Sequence, residues 1–172
     1  MTMHLKASVP AAFFVTCLAS TLIAAPALAT PASGFTAVQQ IKGTYPSLTV
    51  NTDSNRNTDK NDKWDLKLMT KDTSDIYVVR NSIAVGGQSG WHSHPGPSLI
   101  TVTIGEVTEY DSSDPLCSPR VHHAGEGFVD AGDHAHLLRN ESGAAAETVA
   151  VQFLEAGATR RIDEPAPSTC SF

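Results

Sequence analysis

An all-β fold, a sandwich or small barrel, is what this sequence predicts. Three observations carry that expectation. Beyond residue 64 the chain breaks into short runs that alternate apolar and polar residues, the two-residue period of a half-buried strand. Gly and Pro clusters punctuate those runs at close spacing: Gly86-Gly87, Pro95-Gly96-Pro97, Asp114-Pro115, Gly125, Gly127 and Gly132. Several of the runs, "DIYVVRNSIAV" among them, are rich in β-branched residues.

Taken in order, "WDLKLMT" sets Trp64, Leu66 and Leu68 against Asp65 and Lys67, a half-buried strand. "DIYVVRNSIAV" is rich in β-branched residues and is long enough for one strand or a bent pair. "SLITVTIGEVTEY" reads as two strands around Gly105, with Ile100, Val102 and Ile104 facing one way. "GFVD", "HAHLLRN" and "AAAETVAVQFLEAG" supply three more. The tail from about Ala158 is rich in Pro and charge and reads as an edge wrap or a loose end.

The N-terminal third differs. Residues 1–29 have one lysine, the apolar run "AAFFVTCLASTLIAA" and small residues at the end of "APALA", the layout of a cleaved export signal with cleavage after Ala29. The apolar run is shorter than the roughly 20 residues of a spanning helix and Pro26 interrupts it. Residues 30–63 form a polar arm, with "VNTDSNRNTDKND" offering almost nothing to bury, while "FTAVQQI" reads as a short helix or strand that docks on the domain. The expected organisation is therefore a signal segment 1–29, an arm 30–63, a single β domain 64–157 and a tail 158–172.

Loss of Lys6 with the signal takes the formal charge from −6 to −7. An acidic chain without a basic stripe points to neither nucleic acid nor an anionic membrane as partner. Two cysteines remain past the signal, Cys117 and Cys170, and in an oxidising compartment a pair is more often bridged than free.

The six histidines past the signal, at 92, 94, 122, 123, 134 and 136, all fall between residues 92 and 136. Residues two apart on a strand share a face, so His92 and His94 can aim at one point, as can His134 and His136. Neutral imidazoles suit first-row divalent metals, and three on one side of an ion leave positions open on the other. Such a site would be the alternative to ordinary loop histidines.

These residues resemble the cupin motifs. The first runs Gly, five residues, His-x-His, three or four residues, Glu, six residues, Gly; Gly86, His92, His94 and Gly105 fall on those offsets. The second is similar in "GEGFVDAGDHAHLLRN", with Gly132, His136 and Asn140 in place if one residue is inserted. The resemblance spans roughly residues 64–157. It implies a small single-domain jelly-roll barrel with a divalent metal on His92, His94 and His136, iron favoured and Mn, Ni, Cu or Zn compatible. Two departures stand out. Asp130 replaces a turn proline, a minor change by this reading. Ser98 stands where the glutamate ligand belongs, and a neutral hydroxyl is a weak ligand. Ser98, Asp133 and His134 remain as supporting or alternative donors.

Three neutral imidazoles leave an ion its full +2 charge, which favours an anionic substrate. By resemblance to three-histidine dioxygenases, an exported metal-dependent oxygenase acting on a small molecule is the leading expectation. A non-catalytic small-ligand or metal-binding module is the alternative. A decarboxylase or isomerase with His134 as acid/base is a lower one. Trp91 is a candidate for the entrance, and the resemblance admits a homodimer through sheet edges.

Overall fold

A computed structural model describes residues 28–52 and 66–170 of the chain. The expected signal segment up to residue 27, the polar run at 53–63 and Trp64 lie outside the described residues. Among those described there is no helix, and every ladder is antiparallel.

Twelve strands follow in chain order: β1 (Ser33–Tyr45), β2 (Thr49–Asn51), β3 (Lys67–Met69), β4 (Ser74–Gln88), β5 (His92–Ser93), β6 (Ser98–Ile104), β7 (Glu106–Asp111), β8 (Arg120–His123), β9 (Gly127–Asp130), β10 (His136–Arg139), β11 (Ala146–Glu155) and β12 (Ile162–Asp163). One ten-stranded sheet runs β12-β5-β10-β4-β11-β6-β9, with β1 on β4, β7 on β10 and β8 on β7. It curls into a nearly closed antiparallel barrel. β2 and β3 pair only with each other.

β4 makes the curl. Its first ten residues pair with β11 on one side and β1 on the other, while its last residue, Gln88, pairs with Arg139 of β10. The strand therefore passes from one wall to the opposite one. The change of direction falls at Gly86, whose φ of 73° is a left-handed conformation that a side chain disfavours.

The predicted alternation is visible where the walls face the interior. Tyr77, Val79, Asn81 and Ile83 of β4 point in, as do Ala146, Thr148, Ala150, Gln152 and Leu154 of β11 and Ser98, Ile100 and Val102 of β6. Ile83, Val102, Val107 and Ala146 pack together under Phe35 and Phe128. Trp91, Tyr110 and Leu137 form a second cluster with Cys170. Each such buried aliphatic or aromatic side chain stabilises the fold by about 1.5–3 kcal/mol. Cys117 and Cys170 are joined by a disulfide, their Cα atoms 5.4 Å apart.

Three details differ from the sequence reading. Ile104 is exposed rather than inward, because the β6–β11 register slips between Glu147 and Thr148. Leu66 is exposed and Leu68 half-buried, because β3 pairs with β2 and not with the barrel wall. Trp91 does not line an entrance. It is buried against Tyr110 and Leu137, on the opposite side of the strand from its neighbour His92.

The stretch read as a polar arm contains β1, a strand that pairs with β4 from Ser33 to Tyr45. The tail contains β12, which pairs with β5 at Ile162–Ser93 and Asp163–His92. Ala29, the expected cleavage position, forms an isolated bridge with Pro165.

Candidate metal centre

Two strands, and the residue just past one of them, carry the candidate ligands to one interior point. His136 begins β10 and lies directly opposite His92 of β5 across an antiparallel pair. His94 follows two residues after His92, so it shares the inward face. The turn before β10 is shaped by Gly132, with φ 88°; a Cβ there would collide with the Gly96 carbonyl. The three imidazoles are 5, 6 and 4 % exposed at His92, His94 and His136. One nitrogen of each lies within 4.8 Å of the others. His92 Nε2 and His136 Nε2 are already 3.0 Å apart.

The backbone sets the tautomers. His92 Nδ1–H donates to the Gly90 carbonyl at 2.8 Å, and His94 Nδ1–H donates to the Arg160 carbonyl at 2.6 Å. Each bond leaves Nε2 with a bare lone pair aimed inward. Burial, then the neighbouring His136, keeps His92 strongly in the neutral form. Burial likewise lowers His94 to about 4. Both are therefore ready as neutral donors at ordinary pH.

His136 provides the test of whether a cation fits. Its Nδ1 is the one buried side-chain polar atom among the described residues without a hydrogen bond. That nitrogen lies 3.3 Å from Asp130 Oδ1. If His136 keeps its proton on Nε2, a bare Nδ1 faces a carboxylate. If the proton moves to Nδ1, it points at Asp130, and all three Nε2 lone pairs converge. Three bare lone pairs at this separation repel unless a cation lies between them. The donor set and the orphaned nitrogen thus both fit a divalent metal.

Asp130 is the residue that sequence reasoning undervalued. It is buried, accepts from Gly132 N–H at 2.9 Å, and its Oδ2 lies 3.8 Å from His94 Nε2. Burial acts to raise its carboxyl, but its neighbours His136, the Gly132 N–H and His94 together outweigh it and hold the group below its ordinary range. It pairs directly with Ser98 in the β6–β9 ladder. The vacancy at Ser98 is therefore faced by an acid from the adjacent strand. Only the cross-strand register shows this.

Ser98 joins a chain of hydrogen bonds. Arg160 Nη1 donates to Gln152 Oε1 at 3.1 Å, Gln152 Nε2 donates to Ser98 Oγ at 3.2 Å, and Ser98 Oγ donates to Asp130 Oδ2 at 3.4 Å. Gln152 and Arg160 were also outside the sequence reading. Gln152 has the strand parity of an inward residue, whereas nothing local marks Arg160.

The remaining candidates lie elsewhere. Asp133 and His134 are exposed and pair with each other at 2.8 Å, because β10 starts only at His136 and both precede it, bordering a separate small cavity on the far side of Asp130 and His136. His122 stacks on Phe128 and lies 3.1 Å from Glu109 Oε2. His123 faces Glu106. Neither lines the chamber beside the three imidazoles.

No family model matches the sequence. No curated protein matches it. Among solved structures, the polyketide cyclase RemF from Streptomyces resistomycificus is similar over 91 % of this chain and 91 % of its own, with 13 % identity and a TM-score of 0.50. An oxalate oxidase in complex with the substrate analogue glycolate matches 51 % of this chain at 25 % identity and a TM-score of 0.44, covering 45 % of its own chain. A cupin superfamily protein from Desulfitobacterium hafniense DCB-2 matches 46 % of this chain and 68 % of its own, with 11 % identity and a TM-score of 0.41. The chain spans less than half the length of the oxalate oxidase chains it matches. These are likenesses of fold. An all-β, nearly closed antiparallel barrel whose two spaced motifs meet at one buried histidine cluster is a cupin jelly-roll, and that is the fold of this chain.

Proposed function

We propose that this protein is an exported, metal-dependent cupin oxidoreductase that holds a divalent ion, iron by preference, on His92, His94 and His136 and acts on a small molecule. The observation that carries the metal reading is the convergence of three buried imidazoles, two with tautomers fixed by backbone carbonyls and the third with Nδ1 left for Asp130. An ion bound there would supply a Lewis-acidic and redox-capable centre with open coordination positions. The chain's own part is to fix geometry and exclude water. Gly90 and Arg160 orient His92 and His94, Asp130 holds the His136 proton on Nδ1, and Val79, Ile100 and Leu138 line the adjoining chamber.

Elemental analysis of the purified protein tests the proposal first. The expected result is a stoichiometric divalent metal that His92→Ala abolishes, followed by oxygen uptake with a small thiol, diketone or phenol. Metal absent, or retained after His92→Ala, sinks it. The export element rests on the layout of residues 1–29 and is tested by N-terminal sequencing of the protein outside the cytoplasm, expected to start at Thr30.

A non-catalytic binding module is the second reading. What favours it is that no carboxylate lines the chamber, so no acid there stands ready as a base. Ligand-induced thermal stabilisation without turnover would support it. The decarboxylase or isomerase reading relied on His134, which is exposed and does not line the chamber beside the three imidazoles.

A further inference from the structure

The chamber beside the three imidazoles has a volume of about 40 Å³ and no aspartate or glutamate in its lining. Two arginines border it, Arg160 and Arg161, and they are not equivalent. Arg161 is neutralised by Asp163, with Nε 2.6 Å from Oδ1, and donates through Nη2 to the Ser89 carbonyl. Arg160 has no carboxylate within ion-pair distance among the described residues. Its side chain donates only to the neutral Gln152. Burial and the charge of Arg161 both act against the cation, yet a guanidinium keeps its proton. The result is a half-buried guanidinium without a carboxylate partner, bordering the same chamber as the three imidazoles, where an anion can join it.

We infer that Arg160 is an anion-binding residue and that the chamber takes a small carboxylate. The carboxylate sits on the guanidinium fork, which matches its two oxygens. The other end of the ligand faces the histidines. Gln152 spans the gap: its Oε1 accepts from Arg160 at 3.1 Å and its Nε2 lies 3.4 Å from His94 Nε2. A ligand of a few heavy atoms can therefore touch both groups, and the volume has room for about three water-sized groups. Asp130 does not compete for Arg160, since it lies beyond Ser98 and is engaged with His136. This names the substrate class of the metal-centre reading and rests on that reading for the ligand's orientation. The anion site itself stands on Arg160 and the chamber.

Acetate and acetamide, alike in size and unlike in charge, test it. In ¹⁵N-labelled protein without metal, the Arg160 Nε–H resonance, assigned by its loss in Arg160→Gln, is followed through both titrations. The same titrations are repeated on Co(II)-loaded protein by visible absorption. Acetate is expected to shift both signals at concentrations at least about tenfold lower than acetamide. Arg160→Gln should remove that preference and Arg160→Lys should retain part of it, with each variant compared at its own Co(II) saturation. Equal response to acetate and acetamide, or full acetate affinity in Arg160→Gln, overturns the inference. Failure to take up Co(II) overturns the metal reading instead, and the Arg160 resonance still decides the anion site.

Discussion

At residue 130 a carboxylate does work that the local sequence hides. Asp130 lies 3.3 Å from His136 Nδ1 and accepts from Ser98 and Gly132, so it is placed to hold a proton on that nitrogen and to orient the ring once a cation draws on Nε2. Asp130→Asn keeps the shape but removes the charge that favours a proton on His136 Nδ1. It is expected to weaken metal binding by about 10- to 100-fold, read by competition titration with a chelator, with the fold retained by circular dichroism. Unchanged affinity would show that the carboxylate does not orient the ligand. The three histidines were legible because strand parity is local: His92 and His94 must share a face. The acid was not, because its place opposite Ser98 depends on the β6–β9 register, and a one-residue slip would turn it to solvent.

At the level of strands, β1 shows how a polar sequence can still build a wall. It pairs with β4 from Ser33 to Tyr45, yet Val38 and Ile41 stay exposed and almost no residue of it is buried. Phe35 and Ala37 face the interior, but the rest of the strand is held mainly by its backbone hydrogen bonds, so only the "FTAVQQI" end announces it. The docking is reinforced at Asp75 of β4, which takes Lys42 Nζ at 2.7 Å and Thr44 Oγ1 at 2.6 Å from β1, and Gly157 N–H from beyond β11. Lys42, then Thr44 and Gly157, lower the Asp75 carboxyl from 3.8 to about 2. A lowered acid stabilises the fold fully above its unfolded value and loses that contribution as pH falls. Denaturant midpoints should therefore drop between about pH 4 and pH 2. Asp75→Asn should be less stable at neutral pH and should lack that part of the acid transition. Identical pH profiles would remove Asp75 from this role. By contrast, β6, β9 and β11 were readable in advance, because each carries inward residues at every second position and turn residues nearby.

Across the whole molecule, the tail ties the site to the far end of the barrel. Arg160 orients His94 through its carbonyl, β12 pairs with the strand bearing His92, and Ser93 donates to Glu164. The Cys117–Cys170 disulfide, 53 residues apart in sequence, fastens this segment beside Trp91 and Leu137. Replacing both cysteines by serine should lower the unfolding free energy by on the order of 4 kcal/mol, measured by urea denaturation, and should weaken metal binding as the tail loosens. Metal affinity indifferent to the bridge would separate the two. The tail also sets an order of events in biosynthesis. His92, His94 and His136 all leave the ribosome before Arg160 does, so for an interval the chain has its three imidazoles without the carbonyl that points one of them. On the metal reading proposed above, the full donor geometry is complete only once the tail has been made, and the compartment that closes the Cys117–Cys170 bond is the one whose metal pool the completed protein samples.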